Sequence, residues 1–151
     1  MLELLSTRAS VLGCFASPEA LDGLSSSFRV APDEAMIVGE PAADPQTAAV
    51  SEMLGEGAVA MDMTDGWAIW TLVGEGSREA FAYLSPVRLT GDGFTTGDVA
   101  RVPVRIVSKE DRLHLFVPAM WGHYLRERIL HDCASLGARE RVEPVEWEAE
   151  G

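Results

Sequence analysis

The segment from Ala58 to Gly74 (Ala-Val-Ala-Met-Asp-Met-Thr-Asp-Gly-Trp-Ala-Ile-Trp-Thr-Leu-Val-Gly) constrains this chain more than any other. Asp65-Gly66 at its centre is the dipeptide of a tight β-hairpin turn, because glycine reaches the positive φ that such turns require. The segment therefore reads as a hairpin whose second strand runs from Trp67 to Val73. Side chains alternate along a strand, so Trp67, Ile69 and Val73 project to one side and Ala68, Trp70 and Leu72 to the other. A strand wetted on one face has no use for large apolar residues on both. Either it is a central strand covered twice within the domain, or one face is covered by another protein, which makes Trp67 on one side and Trp70 on the other the candidate interface residues.

The rest of the chain bounds that choice. A length of 151 residues suits one domain that buries about 70% of its unfolded surface without disulfides or metal. The 47% hydrophobic content excludes general disorder. No run approaches the roughly 18 apolar residues of a membrane-spanning helix. The first ten residues have no basic region before an apolar core, so no secretory leader is expected. Cys14 and Cys133 are far apart in sequence and fit a reduced, cytoplasmic protein. Twenty-four acidic residues against twelve basic ones give a net charge of −12, and Lys109 is the only lysine. Such a surface repels phosphate backbones, which argues against nucleic acid and anionic membrane as partners.

Along the chain, Val11–Phe15 reads as a short strand, with a turn or short helix at Ser17-Pro18-Glu19. Phe28–Val30 and Ala35–Val38 flank Pro32-Asp33-Glu34 as a strand pair. Asp44-Pro45 supplies a helix start, with the helix ending near Leu54 at Gly55. Ser77 is positioned to cap a second helix with Ala80, Phe81 and Leu84 inward and Pro86 at its end. Thr90–Gly93 begins an exposed loop. Val99–Val107 reads as one strand with Val102, Val104 and Ile106 inward and Arg101, Pro103 and Arg105 outward, followed by a strand over 112–117. The last helix, about Ala119 to Leu136, buries Trp121, Leu125, Ile129, Cys133 and Leu136 on one stripe and is capped by Gly137. The Glu-rich end from Glu140 is expected to be partly disordered, with Val142, Val145 and Trp147 alternating loosely enough for an edge strand. The pattern points to an α+β fold, a mostly antiparallel sheet with helices packed against it. Residues 1–27 form a lead-in to a domain over 28–137, and residues 138–151 an acidic tail.

The sequence offers little catalytic chemistry. Asp62 and Asp65 straddle a strand-to-turn junction and point apart, which suits a turn better than acid–base work. Gly74-Glu-Gly-Ser77 lacks the third glycine of a dinucleotide loop. His123 and His131 stand about 12 Å apart along a helix, too far to share a metal. Cys14 has no local partner that would make it a nucleophile, and Ser25–Ser27 lacks the glycines of a nucleophile elbow. No catalytic residue, metal ligand or resident cofactor is expected in this chain.

The order of segments carries a resemblance that no single motif does. Ala31-Pro-Asp-Glu34 before an apolar strand and a helix resembles the Pro-Asp-Glu-Trp segment of the gamma subunit of heterotetrameric sarcosine oxidase, with Ala35 replacing the tryptophan. Met61-Asp-Met-Thr-Asp-Gly66 and the strand to Gly74 resemble that family's Asp-x-Ser-Asp hairpin. Leu84-Ser-Pro86 with Leu89, then Phe94 and Gly97, resemble the turn and loop that follow. Val102-Pro-Val104, Val117-Pro118 and Tyr124-Leu125 are similar to the closing strands and helix. Arg88, where the family often has aspartate, is a departure, as is the lack of a threonine before Ala100-Arg101.

The resemblance implies the folate-binding fold of the glycine-cleavage T-protein. It also implies a small accessory subunit, with a structural or assembly role, in a complex that oxidises N-methylated amines. The implied partners are larger alpha- and beta-type flavoprotein subunits and a small delta-type subunit. FAD, FMN, NAD and tetrahydrofolate belong, by the same resemblance, to the parent complex. Two alternatives stand beside this reading. One is a free-standing folate-binding one-carbon protein, resembling an aminomethyltransferase, with Asp62 near the pterin and Arg101 meeting the glutamate tail. The other is a homo-oligomer that merely shares the fold.

Overall fold

The computed structural model describes residues 2–41 and 46–148. The chain is α+β, and its contacts divide it into two compact units. Unit 1 comprises Met1–Thr7 and Asp65–Val145, and unit 2 comprises Arg8–Thr64 and Glu146–Gly151. Neither division falls at 27/28 or 137/138. Among the described residues, no helix is long and apolar enough to cross a membrane.

Unit 2 is built on a four-stranded antiparallel sheet. Its strands are β2 (Ser10–Phe15), β3 (Phe28–Ala31), β4 (Glu34–Gly39) and β5 (Val59–Asp62), in the order β3-β4-β2-β5. The Pro32-Asp33 turn joins β3 to β4 as the sequence predicts. Helix α1 (Pro18–Asp22) starts at Ser17, whose hydroxyl accepts from the Ala20 amide at 3.2 Å, and proline opens its first turn. Helix α2 (Thr47–Leu54) ends at Gly55, whose φ of 92° only glycine adopts without strain. The expected start at Asp44-Pro45 lies outside the described residues. Leu12, Cys14, Leu21, Ala35 and Leu54 form the core of this unit.

Unit 1 carries β1 (Leu2–Arg8), β6 (Trp67–Val73), α3 (Ser77–Leu84), β7 (Gly93–Val99), β8 (Val102–Lys109), β9 (Arg112–Pro118), α4 (Gly122–Asp132) and β10 (Ala138–Glu140). Its sheet order is β10-β1-β6-β9-β8-β7, antiparallel except for the parallel β1–β10 pair. One face packs under α3 and α4. Leu72, Val104, Ile106, Leu113 and Leu115 from the strands meet Phe81, Leu84, Leu125, Ile129 and Cys133 from the helices. Gly122 opens α4 directly over β6, where a Cβ would come within 2.8 Å of the Ala68 Cβ. Arg126 holds the far side of α4 to β10 through a two-pronged ion pair with Glu140, both contacts 2.7 Å.

The Asp65-Gly66 hairpin does not form. β5 pairs with β2, and β6 pairs with β1 and β9. The link between β5 and β6 is a 3₁₀ turn over Thr64–Gly66, and Gly66 does not take a positive φ. The dipeptide marks the passage of the chain from unit 2 to unit 1. β6 is nevertheless a central strand of its sheet, flanked by β1 and β9, with Leu72 and Thr71 0% exposed and Ile69 5%.

Four further expectations are corrected. Ser77 is the first residue of α3 rather than its cap, and its hydroxyl donates to the Asp111 carbonyl at 3.2 Å. The loop expected after Thr90 gives way at Gly93 to strand β7. The single strand expected over Val99–Val107 is interrupted by a two-residue turn, Ala100-Arg101, between β7 and β8. Trp121, expected on the buried stripe, is 41% exposed, because it lies in a 3₁₀ turn before α4 where the helical spacing does not hold.

Candidate functional site

A cleft of about 640 Å³ opens on unit 1 between the end of α3, the β7–β8 turn and α4. Tyr83, Leu84 and Pro86 line it from α3 and the residues that follow. Asp98, Ala100 and Arg101 line it from the turn, and Tyr124, Arg128 and Asp132 from α4.

The turn is the least ordinary part of this site. Val99 pairs with Val102 across it, and both central residues have positive φ, 50° for Ala100 and 71° for Arg101. That is the pattern of a type I′ hairpin turn, normally built from Asn and Gly. For residues bearing a Cβ it costs roughly 1–2 kcal/mol each. Two hydrogen bonds hold the backbone there. The Ala100 amide donates to the Leu84 carbonyl at 2.7 Å, and the Tyr124 hydroxyl donates to the Ala100 carbonyl at 2.8 Å. The Ser85 hydroxyl donates to the Asp98 carbonyl at 2.5 Å, tying the start of the turn to the end of α3. Tyr124→Phe is therefore expected to lower stability by about 0.5–1.5 kcal/mol. An unchanged urea midpoint would show that the turn holds without this bond.

Within the cleft Arg128 donates to both carboxylate oxygens of Asp132, at 2.9 and 2.8 Å. His131, hydrogen-bonded to Asp132 at 3.0 Å, together with the Arg128 charge holds that carboxyl below its usual range. Arg101 is exposed and has no acidic partner among the described residues. Exposed aromatics stand along the rim. Tyr83 is 54% exposed and Tyr124 37%, and Trp121 meets Tyr124 edge-on with ring centroids 6.1 Å apart.

The other candidates are placed as follows. Asp62 is exposed at the end of β5 in unit 2. Its carboxylate accepts from the Thr64 amide at 3.0 Å and the Thr64 hydroxyl at 2.7 Å, and these bonds lower its pKa. The Thr64 hydroxyl also accepts from the Val11 amide at 2.9 Å. Asp62 thus shapes the exit from β5, while Arg101 belongs to unit 1, so the two folate candidates sit in different units. Arg101 lies in a turn rather than on an outer strand face. Trp70 packs against the core under α4, and its indole N–H donates to the Gly122 carbonyl at 2.9 Å. The Trp67 indole nitrogen is buried without a hydrogen-bond partner among the described residues, and the Arg105 guanidinium lies 4.3 Å from its ring centroid.

Sequence reasoning missed the aromatic wall of the cleft. The available signal was Tyr83, set among the inward Ala80, Phe81 and Leu84 yet pointing away from them. Both thiols are poor nucleophiles. Burial raises the Cys14 pKa, and burial with the nearby Asp132 charge pushes Cys133 up to about 11. Among the described residues, no group of three or more His, Cys, Asp or Glu side chains is placed to hold a metal ion.

No protein-family model matches this sequence, and no curated protein does. Solved structures do share its backbone. A chain of the heterotetrameric sarcosine oxidase from Corynebacterium sp. U-96 superposes with a TM-score of 0.79 and 16% identity, over 93% of this chain and 88% of that one. The glycine cleavage system aminomethyltransferase T from Bartonella henselae superposes with a TM-score of 0.66 and 12% identity, over 96% of this chain but only 48% of its own. At these identities the likeness establishes the α+β fold shared with both proteins. This chain spans about half the length of the aminomethyltransferase.

Proposed function

We propose that this chain is a small accessory subunit, of the gamma type, in a flavoprotein complex that oxidises N-methylated amines. The observation that carries this reading is coverage. The chain matches nearly the whole of a chain of heterotetrameric sarcosine oxidase, but only about half of the aminomethyltransferase. The ordered motifs from Phe28 to Gly137 support the same assignment. In this reading the partners are alpha- and beta-type flavoprotein subunits and a delta-type subunit. The redox cofactors reside in those partners, and this chain contributes to assembly.

Co-production with the flavoprotein subunits encoded in the same genome tests the reading. The chain is expected to copurify with them at equal stoichiometry, and its omission to reduce the yield of assembled oxidase at least fivefold. Flavin assembly unaffected by its absence, with no copurification, removes the proposal. Micromolar binding of tetrahydrofolate to the isolated chain (about −8 kcal/mol) that is lost in Asp62→Ala would favour the one-carbon reading instead.

A further inference from the structure

We infer that the outer edge of β5 in unit 2 receives an extended segment of a partner protein as a fifth strand, apolar at alternate positions and flanked by lysine or arginine. This inference rests on the accessory-subunit reading and names the surface through which the subunit docks.

The backbone of β5 is the first observation. In the order β3-β4-β2-β5 it is an end strand, and among the described residues no strand pairs with its far side. The Met63 amide donates to the Val11 carbonyl at 2.8 Å, and the same register continues through Gly13 opposite Met61 and Phe15 opposite Val59. Bonded and non-bonded pairs alternate along an antiparallel ladder. Val59 and Met61 therefore spend their backbone groups on β2, while Ala60 and Asp62 direct theirs to the open side. An extended segment satisfies such groups by adding a strand.

The side chains are the second. Edge strands in natural proteins are blunted by charges, proline, bulges or shortness. The other end strands of the two sheets obey this. β3 carries Arg29, a bulge between Arg29 and Ala31, and Pro32 just beyond it. β7 is polar and broken by Gly97, and β10 is three residues long and includes Arg139 and Glu140. β5, Val-Ala-Met-Asp, has no charge before its last residue, and no proline or bulge. Val59 and Met61 project from one face, 47% and 51% exposed, beside Phe15 at 36%. The Met63 thioether lies over Gly13 on the same face. Methionine adapts its shape to varied apolar partners, which suits it to contact surfaces.

Charge selects the occupant. Unit 2 holds twelve acidic residues and two basic ones, so it carries −10 of the chain's −12. Both of its arginines are already ion-paired, Arg8 with Glu146 and Arg29 with Asp22. Glu52 and Glu56, on the approach to β5, and Asp62 at its end are all exposed. Such a field draws in a basic segment and turns away an acidic one. It also opposes a second copy, because pairing β5 with β5 would bring two strongly acidic units together.

Sedimentation of the purified chain, alone and mixed with the co-produced alpha- and beta-type flavoprotein subunits, tests the inference. The chain alone is expected to be monomeric, and the mixture to form a complex. Met61→Lys, at a half-exposed position, should melt with the wild type and weaken the complex at least tenfold. Ala60→Pro removes an outward amide and no bond to β2, and should weaken it as much. Undiminished binding by Met61→Lys overturns the β5 surface while leaving the accessory-subunit reading in place. An equal loss in Met120→Lys, at an exposed site of unit 1, would assign the effect to net charge and overturn the surface too. Raising salt from about 0.05 to about 0.5 M should weaken the wild-type complex at least fivefold, and indifference to salt overturns the basic occupant. No complex with the wild-type chain overturns both readings. A dimer of the chain alone that Met61→Lys dissolves overturns the choice of occupant.

Discussion

Trp70→Ala is expected to destabilise the protein by about 3–5 kcal/mol, the cost of deleting a large aromatic from a packed core. Trp70 packs on the cluster that joins β6, β8 and β9 to α3 and α4, and its indole N–H is bonded to Gly122 at the start of α4. Removing the ring leaves a cavity beneath that helix and takes away the indole bond to its first turn. Trp70→Phe keeps most of the apolar contact and loses the bond, so about 1–2 kcal/mol is expected. Urea unfolding of the two variants separates packing from hydrogen bonding. If Trp70→Ala left stability untouched while weakening association with the flavoprotein subunits, the residue would be an interface anchor, the role the sequence left open.

The second large effect is a loss of stability in acid through His114. This histidine stands on β9, and its Nδ1 lies 2.8 Å from the Thr71 hydroxyl on β6. That hydroxyl lies 2.7 Å from the Thr7 hydroxyl on β1. Burial, reinforced by the charges of Arg112 and Lys109, lowers its pKa to about 4 from 6.5. The unfolded chain thus takes up a proton at a pH where the folded protein refuses it. Stability from the neutral ring is fully present above pH 6.5 and falls as pH drops toward 4. The full shift corresponds to about 3 kcal/mol, and partial solvent access reduces the expected loss to about 2 kcal/mol. Unfolding free energies measured from pH 7.5 to 4.5 should show this slope, and His114→Gln should flatten it. An equal slope in the variant would assign the acid sensitivity to other groups.

Where a local rule suffices, the sequence predicted what the structure contains. Val102, Val104 and Ile106 alternate inward on β8, and Ala80, Phe81 and Leu84 line α3. Gly55 takes the positive φ of a helix end at 92°, whereas the last helix stops at Asp132, short of the expected Leu136, and Gly137, at 79°, closes the 3₁₀ turn Ala134–Leu136 that follows it. Pairing between strands is not local, and there the reading failed. Asp65-Gly66 has the composition of a hairpin turn, but β5 and β6 find better partners in different sheets. β7, Gly-Phe-Thr-Thr-Gly-Asp-Val, carries little apolar pattern because it is an edge strand packed on one side only. Gly97 is required there, since a Cβ would overlap Val87. The cleft was hidden for a related reason. Ala100-Arg101 has none of the Asn or Gly that announces a turn of positive φ, and its conformation is imposed by Leu84 and Tyr124, from elements far along the chain.

The connectivity of unit 1 also dictates an order of events during synthesis. Strand β1 precedes the stretch that builds the other sheet, yet both of its partners, β6 and β10, follow that stretch. Leu4 pairs with Leu72 on one side and Glu140 on the other. Between them the unbroken stretch Arg8–Thr64 holds all four strands of the other sheet, so that sheet can form while β1 still waits. Until then three buried leucines, Leu2, Leu4 and Leu5, travel on a strand with two open edges, the kind of segment that pairs with whatever it meets first. Closing so long a loop is slow, which makes the docking of β1 the step at which premature release would produce aggregates rather than protein.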